Sequence, residues 1–206
     1  MIIPSGSPKG FRRTTDFSEY TTGVIMSDWT NVYRGNAPDY AKVVADTGLG
    51  GKAFEILEAA GVFTDWWGWD EIGFLTDINW DQVCVVEGTS SSDINATKMA
   101  LVGCFQDLAL DEGYFLEIYL GALRIVKQYA GSFPAKDTIA TTSLQDAFTV
   151  TASTRYCLRF RNEGDILYGK AWVYGNAEPP NWDVTWTDTD TGSPDKYTDG
   201  YCMIGG

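Results

Sequence analysis

Between Thr154 and Arg161 apolar and polar residues alternate without a break, with Tyr156, Leu158 and Phe160 on one face and Arg155, Cys157, Arg159 and Arg161 on the other. Side chains along a strand alternate with a period of two, so this spacing predicts a strand with one face in a core. The pattern resumes from Ile166 to Tyr174, where Leu167, Gly169, Ala171 and Val173 oppose Tyr168, Lys170, Trp172 and Tyr174. Between the two runs Asn162-Glu163-Gly164-Asp165 offers a tight turn with a glycine for positive φ, which predicts an antiparallel hairpin. Then Gly175-Asn176-Ala177-Glu178-Pro179-Pro180-Asn181-Trp182 predicts an extended corner before a strand at Asp183–Thr187. Proline fixes its own φ and steers the residue before it away from helix.

The same reading places strands at Thr15–Tyr20, Trp29–Arg34, Tyr40–Asp46 and Ala53–Glu58, the last two flanking the hairpin signal Thr47-Gly48-Leu49-Gly50-Gly51. Ala53–Gly61 has helix-favouring Ala, Glu and Leu, but its glycine-rich left flank favours strand. An aromatic segment, Thr64–Asp81, precedes further strands at Gln82–Glu87, Lys98–Phe105, Tyr114–Leu120 and Leu123–Tyr129, the last two joined by Gly121-Ala122. Asp137–Asp146 is polar and reads as a turn, and Ala147–Thr151 leads into the hairpin. Roughly a dozen strands without a convincing helix predict an all-β fold, an antiparallel two-sheet β-sandwich. Residues 14–206 read as one such domain. Residues 1–13, with Ile2, Ile3, Pro4, Pro8, Arg12 and Arg13, read as an extended assembly arm that needs a neighbour to hold it.

Charge narrows the partners. A formal net charge of -13, from 28 acidic against 15 basic residues, repels phosphate backbones and anionic lipid, so neither nucleic acid nor membrane is expected as a partner. The same charge suits a basic surface on another protein. No apolar run approaches the roughly 18 to 20 residues of a bilayer span, and Met1–Phe11 lacks the apolar stretch of a leader. Cys84, Cys104, Cys157 and Cys202 stand singly, with no CxxC pair, which argues against zinc and a redox motif. Buried reduced thiols are the expectation, although oxidising surroundings would allow pairing.

Candidate chemistry is sparse. The chain has no histidine, which removes Ser-His-acid and Cys-His catalysis and the commonest transition-metal ligand. Retaining glycoside hydrolysis needs two carboxylates about 5 to 5.5 Å apart, and on a strand that means acids on one face. Asp70 and Glu71 are adjacent, and Glu112 and Glu117 are five apart, so each pair points to opposite faces. The chain is therefore read as no enzyme, with no cofactor. Trp66, Trp67 and Trp69 beside Asp70 are either a sugar-stacking platform or a core or subunit contact. Asp188, Asp190 and Asp195 superficially suggest a calcium loop. It lacks the Gly and Glu of an EF-hand and Pro194 intrudes, which favours a solvated turn. Arg155, Arg159 and Arg161 form a basic stripe read as a solvated strand face.

The order Tyr156-x-Leu158-Arg159-Phe160-Arg161, short turn, Leu167-x-Gly169-Lys170-x-Trp172, Gly175, Glu178-Pro179-x-x-Trp182, polar loop, Gly200-Tyr201 resembles the C-terminal half of concanavalin A-like (LamG-like) jelly rolls in virion proteins of tailed bacteriophages. Asp16–Gly23 followed by Ser27-Asp28-Trp29-Thr30 is similar to how such domains begin. The resemblance implies a concanavalin A-like jelly roll and a structural virion protein, made in the host cytoplasm. Its place would be capsid decoration or a fibre or tail appendage, with other virion proteins and further copies of itself as partners. The alternative is a lectin module recognising a host surface glycan, and behind it a glycan hydrolase. Related domains continue past the glycine-rich Gly200–Gly206 into one more strand beside the first. Thr15–Tyr20 is therefore expected to be an open edge, covered by the arm or by a neighbouring subunit.

Overall fold

The computed structural model describes residues 17–24, 28–31, 41–46, 51–56, 66–69, 74–75, 79–87, 101–107, 112–119, 122–128, 136–143, 153–189, 197 and 200–205. Among these the regular structure is all β. The chain runs through β1 (Trp29–Asn31), β2 (Ala41–Asp46), β3 (Gly51–Ile56), β4 (Trp66–Trp69), β5 (Phe74–Leu75), β6 (Trp80–Glu87) and β7 (Leu101–Asp107). It continues through β8 (Glu112–Tyr119), β9 (Ala122–Gln128), β10 (Lys136–Ser143), β11 (Arg155–Glu163), β12 (Ile166–Val173), β13 (Val184–Thr187) and β14 (Gly200–Gly205). The larger sheet has the order β1-β4-β14-β7-β8-β9-β10, with β5 also on β14, and the smaller has the order β13-β12-β11-β6. The two strands β2 and β3 form a separate ribbon.

The β11–β12 hairpin forms as its alternation predicts. Glu163 pairs with Ile166, which leaves Gly164-Asp165 as a two-residue turn, and Gly164 takes φ 61°. A tight hairpin turn with glycine first matches the twist of the strands on either side. The Gly164 N–H donates to Asn79 Oδ1 at 3.1 Å, so the turn is tied to the start of β6. On the inner face Tyr156, Leu158, Phe160, Leu167 and Ala171 meet Tyr114, Leu116, Ile118, Leu123 and Ile125 of the larger sheet. The Trp80 ring stands edge-on to Phe160, with centroids 4.8 Å apart and planes at 70°, the arrangement that ring quadrupoles favour. Gly169 lets the two layers close up: a Cβ there would collide with Leu116 Cδ1 and lie 2.9 Å from Val184 Cγ1.

Several sequence expectations change. Phe17–Tyr20 is a turn and not a strand: the Tyr20 N–H donates to the Phe17 carbonyl at 3.2 Å and Phe17 has φ 61°. The cause is the β2–β3 ribbon beneath it. Lys52 Nζ donates to the Ser18 and Tyr20 carbonyls, and the Phe17 ring lies 6.2 Å from that of Phe54, so these carbonyls point at a cation instead of a partner strand. The polar stretch Asp137–Asp146, expected as a turn, overlaps β10, which pairs along β9 with one irregularity between Thr138 and Ala140. An edge strand needs only one neighbour to satisfy its ladder, so it can form without an apolar face. Ala122 already belongs to β9 and pairs with Tyr119, so it is a strand residue and not part of a two-residue loop.

The largest correction concerns the chain end. β14 is an interior strand, paired with β4 on one side and β7 on the other. The glycine-rich segment is thus itself a strand of the larger sheet, and among the described residues 17–20 form a turn in place of the expected edge strand. The arm residues Ile2, Ile3, Pro4, Arg12 and Arg13 lie outside the described residues.

Candidate functional site

The smaller sheet turns a second, polar face away from the core. The period of two puts Cys157, Arg159 and Arg161 of β11 there, with Tyr168, Lys170 and Trp172 of β12 alongside. The proline corner then returns over this face. It is tied down by the Asp183 N–H, which donates to the Gly169 carbonyl at 3.0 Å, and by Asp183 Oδ2, which accepts from the Ala171 N–H at 2.8 Å. A side-chain carboxylate thus prolongs the ladder where the backbone of β13 leaves it. Glu178, Pro179 and Trp182 come to lie among the strand residues as a result.

Asp81 of β6, 0% exposed, anchors the cluster by accepting from Arg159 through both oxygens, with the Arg159 Nε bond at 2.8 Å. Arg161 Nε lies 3.6 Å from the same carboxylate, and its Nη2 lies 3.0 Å from Glu163. Arg159 Nη1 also reaches Glu178, which pairs with Lys170 Nζ at 2.6 Å. Lys170 Nζ donates to the Pro179 carbonyl at 2.8 Å and sits 4.6 Å from the Trp182 ring centroid. The Arg159 guanidinium lies 5.7 Å from the same ring and the Tyr168 ring 5.3 Å. The half-buried indole therefore contacts two cations and a second aromatic ring.

The electrostatics follow from this wiring. The hydrogen bond to Asp81 raises the Arg159 pKa above its ordinary value against the opposing effect of burial. Burial works to raise Glu178, but the bonds from Lys170 and Arg159 outweigh it and hold the carboxyl below its usual range. Arg159, Arg161 and Lys170 thus face Asp81, Glu178 and Glu163 in a charge-balanced network. Burial pushes the Cys157 thiol up to about 11, which removes it as a nucleophile at neutral pH. The stripe read as a solvated face is in fact wired into carboxylates, Arg155 included, through Asp46 and Glu87.

The calcium reading of the 188–195 loop meets a different arrangement. Asp188 is 2% exposed, and its Oδ2 accepts from Lys127 Nζ at 2.9 Å and from the Tyr114 hydroxyl. It is no solvated turn residue, because it is the counter-ion of a lysine buried between the sheets. Burial, and then the bond to Asp188, raise the Tyr114 hydroxyl well above the ordinary phenol value. The Tyr197 N–H donates to the Tyr114 oxygen at 3.1 Å and the Tyr197 hydroxyl to the Gln128 carbonyl at 2.7 Å, which closes this end of the sandwich. Asp190 and Asp195 lie outside the described residues, and among those described no group of three or more acids or cysteines converges. Glu117, considered above as half of a carboxylate pair, is buried against Arg124.

Trp66, Trp67 and Trp69 belong to β4 in the larger sheet, at register positions opposite Gly205, Ile204 and Trp29 respectively. They are on a different sheet from the Trp182 cluster, and Asp70 lies outside the described residues. Trp182, Glu178 and Asp81 are not among the candidates the sequence offers. Glu178-Pro179-x-x-Trp182 signals an extended corner, whereas what its side chains reach, and the burial of Asp81 beneath two arginines, depend on the neighbouring strands.

No family model matches the chain, and no curated protein matches it. Among solved structures it is similar to a carbohydrate-binding module, CBM66 from Bacillus subtilis, with a TM-score of 0.53 at 13% identity, over 90% of this chain and 91% of that one. That likeness is one of fold and agrees with the antiparallel β-sandwich described here.

Proposed function

We propose that the chain is a non-catalytic carbohydrate-binding module and that the outer face of the smaller sheet contacts the glycan. The observation that carries this is the Trp182 indole, half-buried and fixed by Lys170, Arg159 and Tyr168, beside a Glu178 side chain that is 37% exposed. An indole offers an apolar face to the C–H side of a sugar ring, while carboxylate and guanidinium groups accept from and donate to its hydroxyls. The cluster needs little rearrangement to do so, because its ion pairs already hold the rings in place. Hydrolysis does not suit it: Asp81 is committed to two arginines, and Glu178, held below its ordinary pKa by Lys170 and Arg159, does not resemble a general acid of raised pKa.

The fold shared with a carbohydrate-binding module supports this reading. A virion setting rests on the sequence resemblance alone, and there the module would meet a glycan of the host surface. The test is a glycan array with the purified chain, followed by calorimetric titration of the strongest ligand. Trp182→Ala should weaken that ligand about tenfold, equivalent to about 1.4 kcal/mol, with an unchanged thermal unfolding midpoint. An array without a retained glycan, or a folded Trp182→Ala chain with undiminished affinity, would overturn the proposal.

A further inference from the structure

Two of the four cysteines, far apart in sequence, are directly opposed across neighbouring strands: Cys202 of β14 is the register partner of Cys104 of β7. The ladder around them is regular, running from Tyr201 opposite Phe105 to Gly205 opposite Leu101 without a shift. Directly opposed residues of an antiparallel pair have Cα atoms about 4.5 or 5.5 Å apart, depending on the hydrogen-bonding of the position. Both values fall within the span of about 4.4 to 6.8 Å that a disulfide bridges without backbone movement. Opposed residues also project to the same face of the sheet.

The other two cysteines are placed differently. Cys84 is opposite Leu158 and packs against the core, whereas Cys157 is opposite Val85 and belongs to the outer face of the smaller sheet. Their side chains leave opposite sides of one sheet, and both are free thiols.

We propose that Cys104 and Cys202 are a disulfide site that closes under oxidising conditions and staples the last strand into the middle of the larger sheet. In the reaction each thiol loses its proton, one S–S bond forms, and two electrons pass to a small-molecule disulfide such as oxidised glutathione, which leaves as two thiols. The first exchange gives a mixed disulfide on one cysteine, and attack by the opposed thiolate releases the second glutathione. The bond joins positions almost a hundred residues apart, the kind of long loop whose closure most restricts the unfolded chain. The inference is independent of glycan binding.

The test uses the folded full chain, incubated with oxidised glutathione, then denatured, alkylated with iodoacetamide and digested for mass spectrometry. Alkylation of Cys84 and Cys157 only, with one linked peptide joining Cys104 to Cys202, is the expected result. Reduction before alkylation should expose all four thiols of the chain. A Cys202→Ser chain should yield no linked peptide, with Cys104 either alkylated or carrying the glutathione that no opposed thiolate removes. In the oxidised wild-type chain, four alkylated cysteines, glutathione left on Cys104 or Cys202 without a link, or a link between any other pair overturns the proposal.

Discussion

Phe160 is 0% exposed and packs between the Trp80 ring and the side chains of the larger sheet. Its truncation removes many dispersion contacts and leaves a void that a two-layer core closes only in part. Phe160→Ala should therefore cost about 3 to 5 kcal/mol, measured as a shift in the urea unfolding midpoint. A loss below about 1 kcal/mol would put the wrong face of β11 inside. Charge is arranged at the same scale with similar economy. Lys127 and Asp188 are both buried and bonded to each other, and Tyr114 donates to the same carboxylate. Such a pair adds little net stability over apolar residues of equal size, yet losing one member strands the other. Asp81 makes the same point on the outer face, where its two arginines hold the strand residues in register with Glu178.

The β11–β12 hairpin is the element from which both the core face and the proposed site are built. Its turn depends on Gly164 at positive φ, a region that costs an L-residue roughly 1 to 2 kcal/mol. Gly164→Ala should destabilise the chain by about that amount, read from thermal unfolding, although nothing lies within 4 Å of the added methyl group. An unchanged midpoint would mean that backbone conformation does not limit this turn. The polar edge strand β10 shows the other side of element formation. Thr138, Ala140, Thr141 and Thr142 offer no apolar period, and β9 supplies the hydrogen bonds that make them a strand.

For the molecule as a whole, the position of β14 decides how the chain end behaves. An interior strand carries ladder hydrogen bonds on both edges, so removing residues 200–206 would open the larger sheet between β4 and β7. A chain ending at Asp199 should lose its cooperative thermal transition and its near-ultraviolet dichroism from ordered aromatic rings. A truncated chain that still melted cooperatively near the wild-type midpoint would show that β4 and β7 close up without it. The pairings of β14 with β4, β5 and β7 join strands distant in sequence, which favours slow folding.

Local pattern alone determined the all-β class, the β11–β12 hairpin with its inner face, the extended proline corner and the strand after it. Each depends on neighbours within a few residues: a period of two, a glycine in a turn, a proline that fixes φ. The tertiary structure decided what those elements touch. It turned Phe17–Tyr20 toward Lys52, seated the glycine-rich end between two strands, drew Asp188 inward to Lys127 and brought Glu178 and Trp182 over Arg159 and Lys170. Partners such as Asp81 and Arg159, or Cys104 and Cys202, lie tens of residues or more apart. Their meeting depends on strand order and on desolvation in the assembled sandwich, and no local periodicity along the chain encodes either.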